Sequence, residues 1–159
     1  METEPKTYCW IVPERLAVAE RPGRAGRNHR RVLRAGEIAW WRARGVDAVV
    51  STLRTRHALA DYAEAGLEVH WHPLRDPDQA REQLPVIADT VRTLLGQGTG
   101  AVLVHCDMAN EWLAAIDATL RLALGLARTP RAALRAAAAD GLPVGSLTTS
   151  IVGRPMPTA

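Results

Sequence analysis

Ala101-Val102-Leu103-Val104-His105-Cys106-Asp107-Met108-Ala109-Asn110-Glu111-Trp112 is the stretch on which the fold turns. Its first half is apolar up to His105, as a strand covered on both faces of a parallel sheet must be. Beyond it, Leu113, Ile116, Leu120 and Leu124 recur at helical spacing and Gly125 supplies the stop. A strand that passes through a short loop into a helix gathers backbone N–H groups and a helix N-terminus around one point, an arrangement that favours an anion.

Working outward, Ala48-Val49-Val50-Ser51 and Leu67-Glu68-Val69-His70-Trp71-His72 read as further strands. Each follows a helical segment closed by glycine, from Glu37 to Arg44 before Gly45 and from Ala58 to Ala65 before Gly66, and Gly36 weakens any backward extension of the first. Tyr8-Cys9-Trp10-Ile11-Val12 and Leu16-Ala17-Val18 read as a hairpin turning at Pro13-Glu14. Leu84, Ile87, Ala88, Val91, Leu94 and Leu95 mark an amphipathic helix, with Pro85 suited to its first turn and Gly96 to its stop. Residues 129–140 read as one more helix, with Pro130 near its start, whereas 1–6 and about 141–159 read as irregular. Alternating strands and helices of these lengths predict an α/β fold: one domain spanning 1–159, with a central, mostly parallel sheet flanked by helices in three layers.

Composition excludes several classes. At 47% hydrophobic and 23% charged residues the chain is an ordinary globular one, and no apolar run approaches the roughly 18 residues of a membrane span. The acidic start, Met1 to Lys6, reads as neither a secretory signal nor a transit peptide, and with only two cysteines the expectation is cytoplasmic. Net charge is +3, with Lys6 the only lysine. The arginines are spread along the chain without a recognised nucleic-acid motif, so nucleic acid is not the expected partner. The densest cluster, in the loop 21–34, reads either as a solvated loop or as a site for an anion or a protein partner.

Three other groups are candidates by position. Arg54, Arg56 and His57 follow the strand ending at Ser51, and the carboxyl ends of parallel strands are where ligands sit. Strand alternation puts His70 and His72 on one face, but a third ligand is lacking and no metal or other cofactor is expected. Trp40 and Trp41 matter as a docking surface only if exposed.

On Val102-Leu103-Val104-His105-Cys106 the chain resembles the cysteine-based protein tyrosine and dual-specificity phosphatases, whose signature is His-Cys, five residues, then Arg. The Trp10 to Gly23 stretch is similar to the Trp-Val-x-Pro-x-Arg-Leu opening of bacterial members, and Gly45 to Ser51 to their Gly-Val-x-x-Val-Val strand. The resemblance runs from about residue 7 to residue 140 and implies a three-layer phosphatase-like fold. It also implies a catalytic set of Cys106 as nucleophile, Asp76 as the acid that protonates the leaving oxygen, and His105 beside the cysteine.

The pattern then fails at its phosphate-gripping positions. Trp112 stands where the family has Arg, Ala109 where it usually has Gly, and Leu113 where it has Ser or Thr. No glutamine follows in the C-terminal segment to position a water. Arg offers a planar fork for phosphate oxygens, whereas indole offers one donor and no charge. Asp107 and Glu111 add negative charge that disfavours a phosphate dianion and a thiolate alike.

Three readings follow from these departures. The first is a repurposed enzyme acting on a small, weakly charged or uncharged molecule over Cys106, the site being lined by Asp107, Met108, Ala109, Asn110, Glu111 and Trp112, with Arg54 and Arg75 nearby. The second is a pseudophosphatase, a binding or regulatory module without catalysis. The third is a residual phosphatase in which Arg54, Arg56 or Arg75 replaces the missing cation.

Overall fold

A computed structural model describes residues 1–23, 30–56, 58–98 and 100–153. The strand β1 (Tyr8–Val12) turns back into β2 (Leu16–Glu20), and β3 (Val46–Ser51), β4 (Glu68–Trp71) and β5 (Ala101–Cys106) follow, interleaved with helices. The sheet order is β1-β2-β5-β3-β4, with β1 antiparallel to β2 and every other pairing parallel. β5 is central because all six of its residues are buried, which fits its unbroken apolar run. In register, Val104 lies between Val18 and Val50, and Cys106 sits beside Glu20.

The helices α1 (Arg30–Ala43) and α2 (Leu59–Glu64) cover one face; α3 (Pro77–Gln97), α4 (Glu111–Ala123), α5 (Pro130–Ala139) and α6 (Ser146–Val152) cover the other. Strand alternation divides β5 between these layers. Leu103 packs with Trp41 and Tyr62, and Val102, Val104 and Cys106 pack with Leu84, Ile87, Leu113 and Ile116. At the hairpin turn Glu14 adopts φ 63°, and the Arg15 guanidinium donates to Gly100 O (2.7 Å) and Leu95 O (2.6 Å). One side chain thus ties the hairpin to the end of α3 and the start of β5. Trp41 is fully buried, and Trp40 packs against Tyr8 and under the Arg44 guanidinium, so neither tryptophan offers a bare surface. No helix among the described residues is long and apolar enough to cross a membrane.

Three elements differ from the sequence expectation, each for a local reason. α1 runs back through Gly36 to Arg30, because the amino-terminal segment lies against it: Thr3 N–H donates to Gly36 O (2.9 Å), and a Cβ at Gly36 would come within 2.3 Å of Thr3 Oγ1. The glycine therefore marks a close approach and not a helix boundary. α3 starts at Pro77 and not near Pro85, because Asp76 caps it by accepting from Gln79 N–H (2.8 Å). Pro85 then lies inside the helix, and the stop falls after Gln97 instead of at Gly96. The segment expected to be irregular from 141 contains α6, whose first N–H groups are held by Glu111.

Candidate functional site

The carboxyl ends of β2, β3 and β5 open on a cavity of about 400 Å³. Leu53, Leu74 and Trp112 form the apolar part of its lining, and Arg21, Arg54 and Asp107 the charged part. Thr52, Thr55, Asn110 and the Cys106 thiol complete it.

Cys106 is 6% exposed, and its S–H donates to Met108 O at 2.9 Å with Asn110 Oδ1 at 3.9 Å. Asn110 is the N-cap of α4: its Oδ1 accepts from Trp112 N–H (3.0 Å) and Leu113 N–H (3.4 Å). Two of the N–H groups at the start of α4 are therefore already engaged by a side chain of the same loop. Burial pushes the Cys106 thiol up to about 12, and the carboxylates of Asp107 and Glu20 act in the same direction. At neutral pH the protonated thiol is the favoured form.

Among the charged groups, Arg21 Nε lies 3.1 Å from Asp107 Oδ1. Arg54 donates from Nη2 to Arg75 O at 2.8 Å, so Arg75 contributes its backbone here while its side chain is absent from the described lining. Arg56 lies over the Trp71 ring, 5.0 Å from its centroid, also away from the cavity. Glu111 was expected to bring negative charge to the loop, but its carboxylate turns to α6 and accepts from Leu147 N–H (3.0 Å) and Thr148 N–H (3.4 Å). The helix N-terminus attracts it there, and Thr148 Oγ1 returns a bond to Glu111 O (3.0 Å). Met108 is 51% exposed and Ala109 packs against the core; neither side chain lines the cavity. Asp76 is occupied as the α3 cap and is likewise outside the lining. His57 and residues 24–29 of the arginine-rich loop lie outside the described residues. His70 pairs with Glu68 (3.0 Å), whereas His72 meets Thr90 Oγ1 (3.2 Å).

His105 does not face the cavity. Its ring lies on the α1/α2 side of the sheet, edge-on to Tyr62, whose hydroxyl donates to Nε2 (2.9 Å) while Nδ1–H reaches Cys106 O at 3.3 Å. These two contacts select the tautomer. Thr52 N–H (3.0 Å) and Oγ1 (2.9 Å) both donate to His105 O. His105 is thus a positioning residue that fixes the end of β5. With no exposed surface, it is held neutral, its pKa lowered to about 4 chiefly by burial and also by the charge of Arg21.

Sequence reasoning missed Arg21, Thr52, Leu53, Thr55 and Leu74 as lining residues. The signal was available for Arg21. β2 is half of a hairpin but also a parallel neighbour of β5, so the carboxyl-end rule that singled out Arg54 applies to Arg21 as well.

No protein-family model matches the sequence, and no curated protein matches it. Solved structures do match over nearly the whole chain. P. aeruginosa TpbA superposes with a TM-score of 0.71 at 17% identity, covering 96% of this chain and 93% of that one. Human DUSP28 gives a TM-score of 0.68 at 16% identity, with 96% and 95% covered, and Tk-PTP in its active form gives 0.60 at 20%, with 93% and 95%. The chain has the fold of the tyrosine and dual-specificity phosphatases. At these identities the likeness concerns the fold alone.

Two outcomes follow from the geometry around β5 and α4. An unfolded chain takes up a proton on His105 near pH 6.5, which the folded chain resists until about pH 4. The contribution of His105 to stability is therefore full above pH 6.5 and is lost, by about 3 kcal/mol, as pH drops through this window, whereas Asp117, its pKa raised by burial, acts with the opposite sign. In urea unfolding from pH 7 to 4, the stability of the wild type relative to His105→Gln is expected to fall by this amount; a difference that does not change with pH would contradict the assignment. A Cβ at Gly145 would lie 2.1 Å from Glu111 Oε1. Gly145→Ala and Glu111→Ala are each expected to destabilise by about 1–2 kcal/mol, and the double variant by no more than the larger single effect. Simple additivity in thermal melts would show that the two do not share one contact.

Proposed function

We propose that the chain is a phosphatase-fold binding protein that holds a small, weakly charged ligand in the cavity over Cys106 and does not transfer phosphate. One observation carries this reading. Oxygen acceptors, Met108 O and Asn110 Oδ1, stand around the Cys106 sulfur, where phosphoryl transfer needs donors and positive charge. Trp112 occupies the position of the expected arginine and lines the cavity with an indole. Arg21, the cation nearest Asp107, is paired with it.

The same facts weigh against a repurposed enzyme using Cys106 as nucleophile, because the thiolate is the reacting form and burial disfavours it. Asp76, the expected proton donor, has its carboxylate engaged in capping α3. A residual phosphatase with a displaced cation would have to use Arg54, since Arg56 stacks on Trp71 and the Arg75 side chain is absent from the described lining. Binding without chemistry requires none of these groups to react.

The test is turnover of p-nitrophenyl phosphate. The wild type is expected to show no Cys106-dependent hydrolysis, and Trp112→Arg alone to remain inactive because Asn110 and Met108 keep their places. Hydrolysis by the wild type that Cys106→Ser abolishes would overturn the reading.

A further inference from the structure

The geometry points to a small monocarboxylate with a flat apolar body as the ligand class of the Cys106 cavity, an inference that rests on the binding reading above. The described lining carries two guanidinium groups, Arg21 and Arg54, and one carboxylate, Asp107, with Glu20 the register partner of Cys106 on β2. Arg21 is matched to Asp107 at 3.1 Å. Arg54 contacts the Arg75 carbonyl, which occupies one terminal nitrogen without neutralising its charge. A guanidinium fork suits two coplanar oxygens sharing one charge, which is the geometry of a carboxylate. Asn110 adds a donor. Its Oδ1 is fixed as the acceptor of two backbone N–H groups, which leaves the amide nitrogen of this lining residue as its donating end.

A second negative charge is opposed on two sides. Asp107 is part of the lining, and Glu20 is the register partner of Cys106, with Oε1 buried and without a hydrogen-bond partner among the described residues. A phosphate dianion would meet both carboxylates with the Trp112 and Leu113 N–H groups already capped. Leu53, Leu74 and the Trp112 indole give the rest of the ligand an apolar surface. The volume of about 400 Å³ is near the lower end of small-molecule pockets, which span about 300–1,000 Å³.

Three probes that share a ring and differ in charge separate the possibilities: benzoate, benzamide and phenyl phosphate, titrated calorimetrically at about pH 7.5, where the last is a dianion. Binding is placed by the backbone amide shifts of Leu53, Arg54 and Asn110. Benzoate is expected to bind about tenfold more tightly than either competitor, and Arg54→Gln to reduce it to the level of benzamide. Equal affinity for benzamide, tighter binding of phenyl phosphate, no benzoate binding at millimolar concentration, or indifference to Arg54→Gln would each overturn the inference. Hydrolysis of phenyl phosphate would overturn the underlying reading as well, whereas failure of benzoate without hydrolysis removes the ligand class alone.

Discussion

The side-chain oxygen of Asn110 accepts the N–H groups of Trp112 and Leu113 in the first turn of α4, and the properties of the Cys106 loop depend on this cap. A helix N-terminus leaves orphan donors that must be satisfied by water, by an anion or by a cap. Here the cap comes from within the loop, four residues after the cysteine. Those two donors are then engaged, and the sulfur has two oxygen acceptors beside it. The arrangement retains the strand, loop and helix of a phosphate cradle while engaging the groups that would hold the phosphate.

The surrounding structure holds this loop from two sides. Beneath it, His105 is locked by Tyr62 and Thr52, so the end of β5 cannot shift without breaking buried hydrogen bonds. Beside it, Glu111 clamps the start of α4 to the start of α6, and Gly145 gives that carboxylate room. Both contacts place an ionisable group where its charge state suits the site: a neutral imidazole in the core and a carboxylate at a helix N-terminus. Neither is part of the cavity, yet both determine where Cys106, Asn110 and Trp112 stand.

Much of the fold was legible in the sequence because it rests on periodicity. The apolar run at Ala101 to Val104, the glycine stops at Gly45 and Gly66, and the helical spacing from Leu113 to Leu124 all depend on neighbouring residues. What was not legible depends on contacts between distant segments. Gly36 reads as a helix breaker until Thr3 is seen against it, and the tail reads as irregular until Glu111 is seen capping it. The candidate site divides in the same way. Cys106, Asp107, Asn110 and Trp112 were placed from one contiguous stretch, whereas Arg21 required β2 to be recognised as a parallel neighbour of β5. Asp76 and Glu111 were singled out for the site from their place along the chain, but their carboxylates serve helix termini, a role that Asp and Glu at such positions often take.

The Cys106 sulfur is a buried thiol whose surroundings favour the protonated form. The most direct test of the proposed binding role is the pH dependence of ultraviolet thiolate absorbance, taken as the difference between the wild type and Cys106→Ser. A thiol pushed up to about 12 predicts no Cys106 thiolate signal through pH 9. A titration midpoint below about pH 8 would show a reactive thiolate and contradict the account.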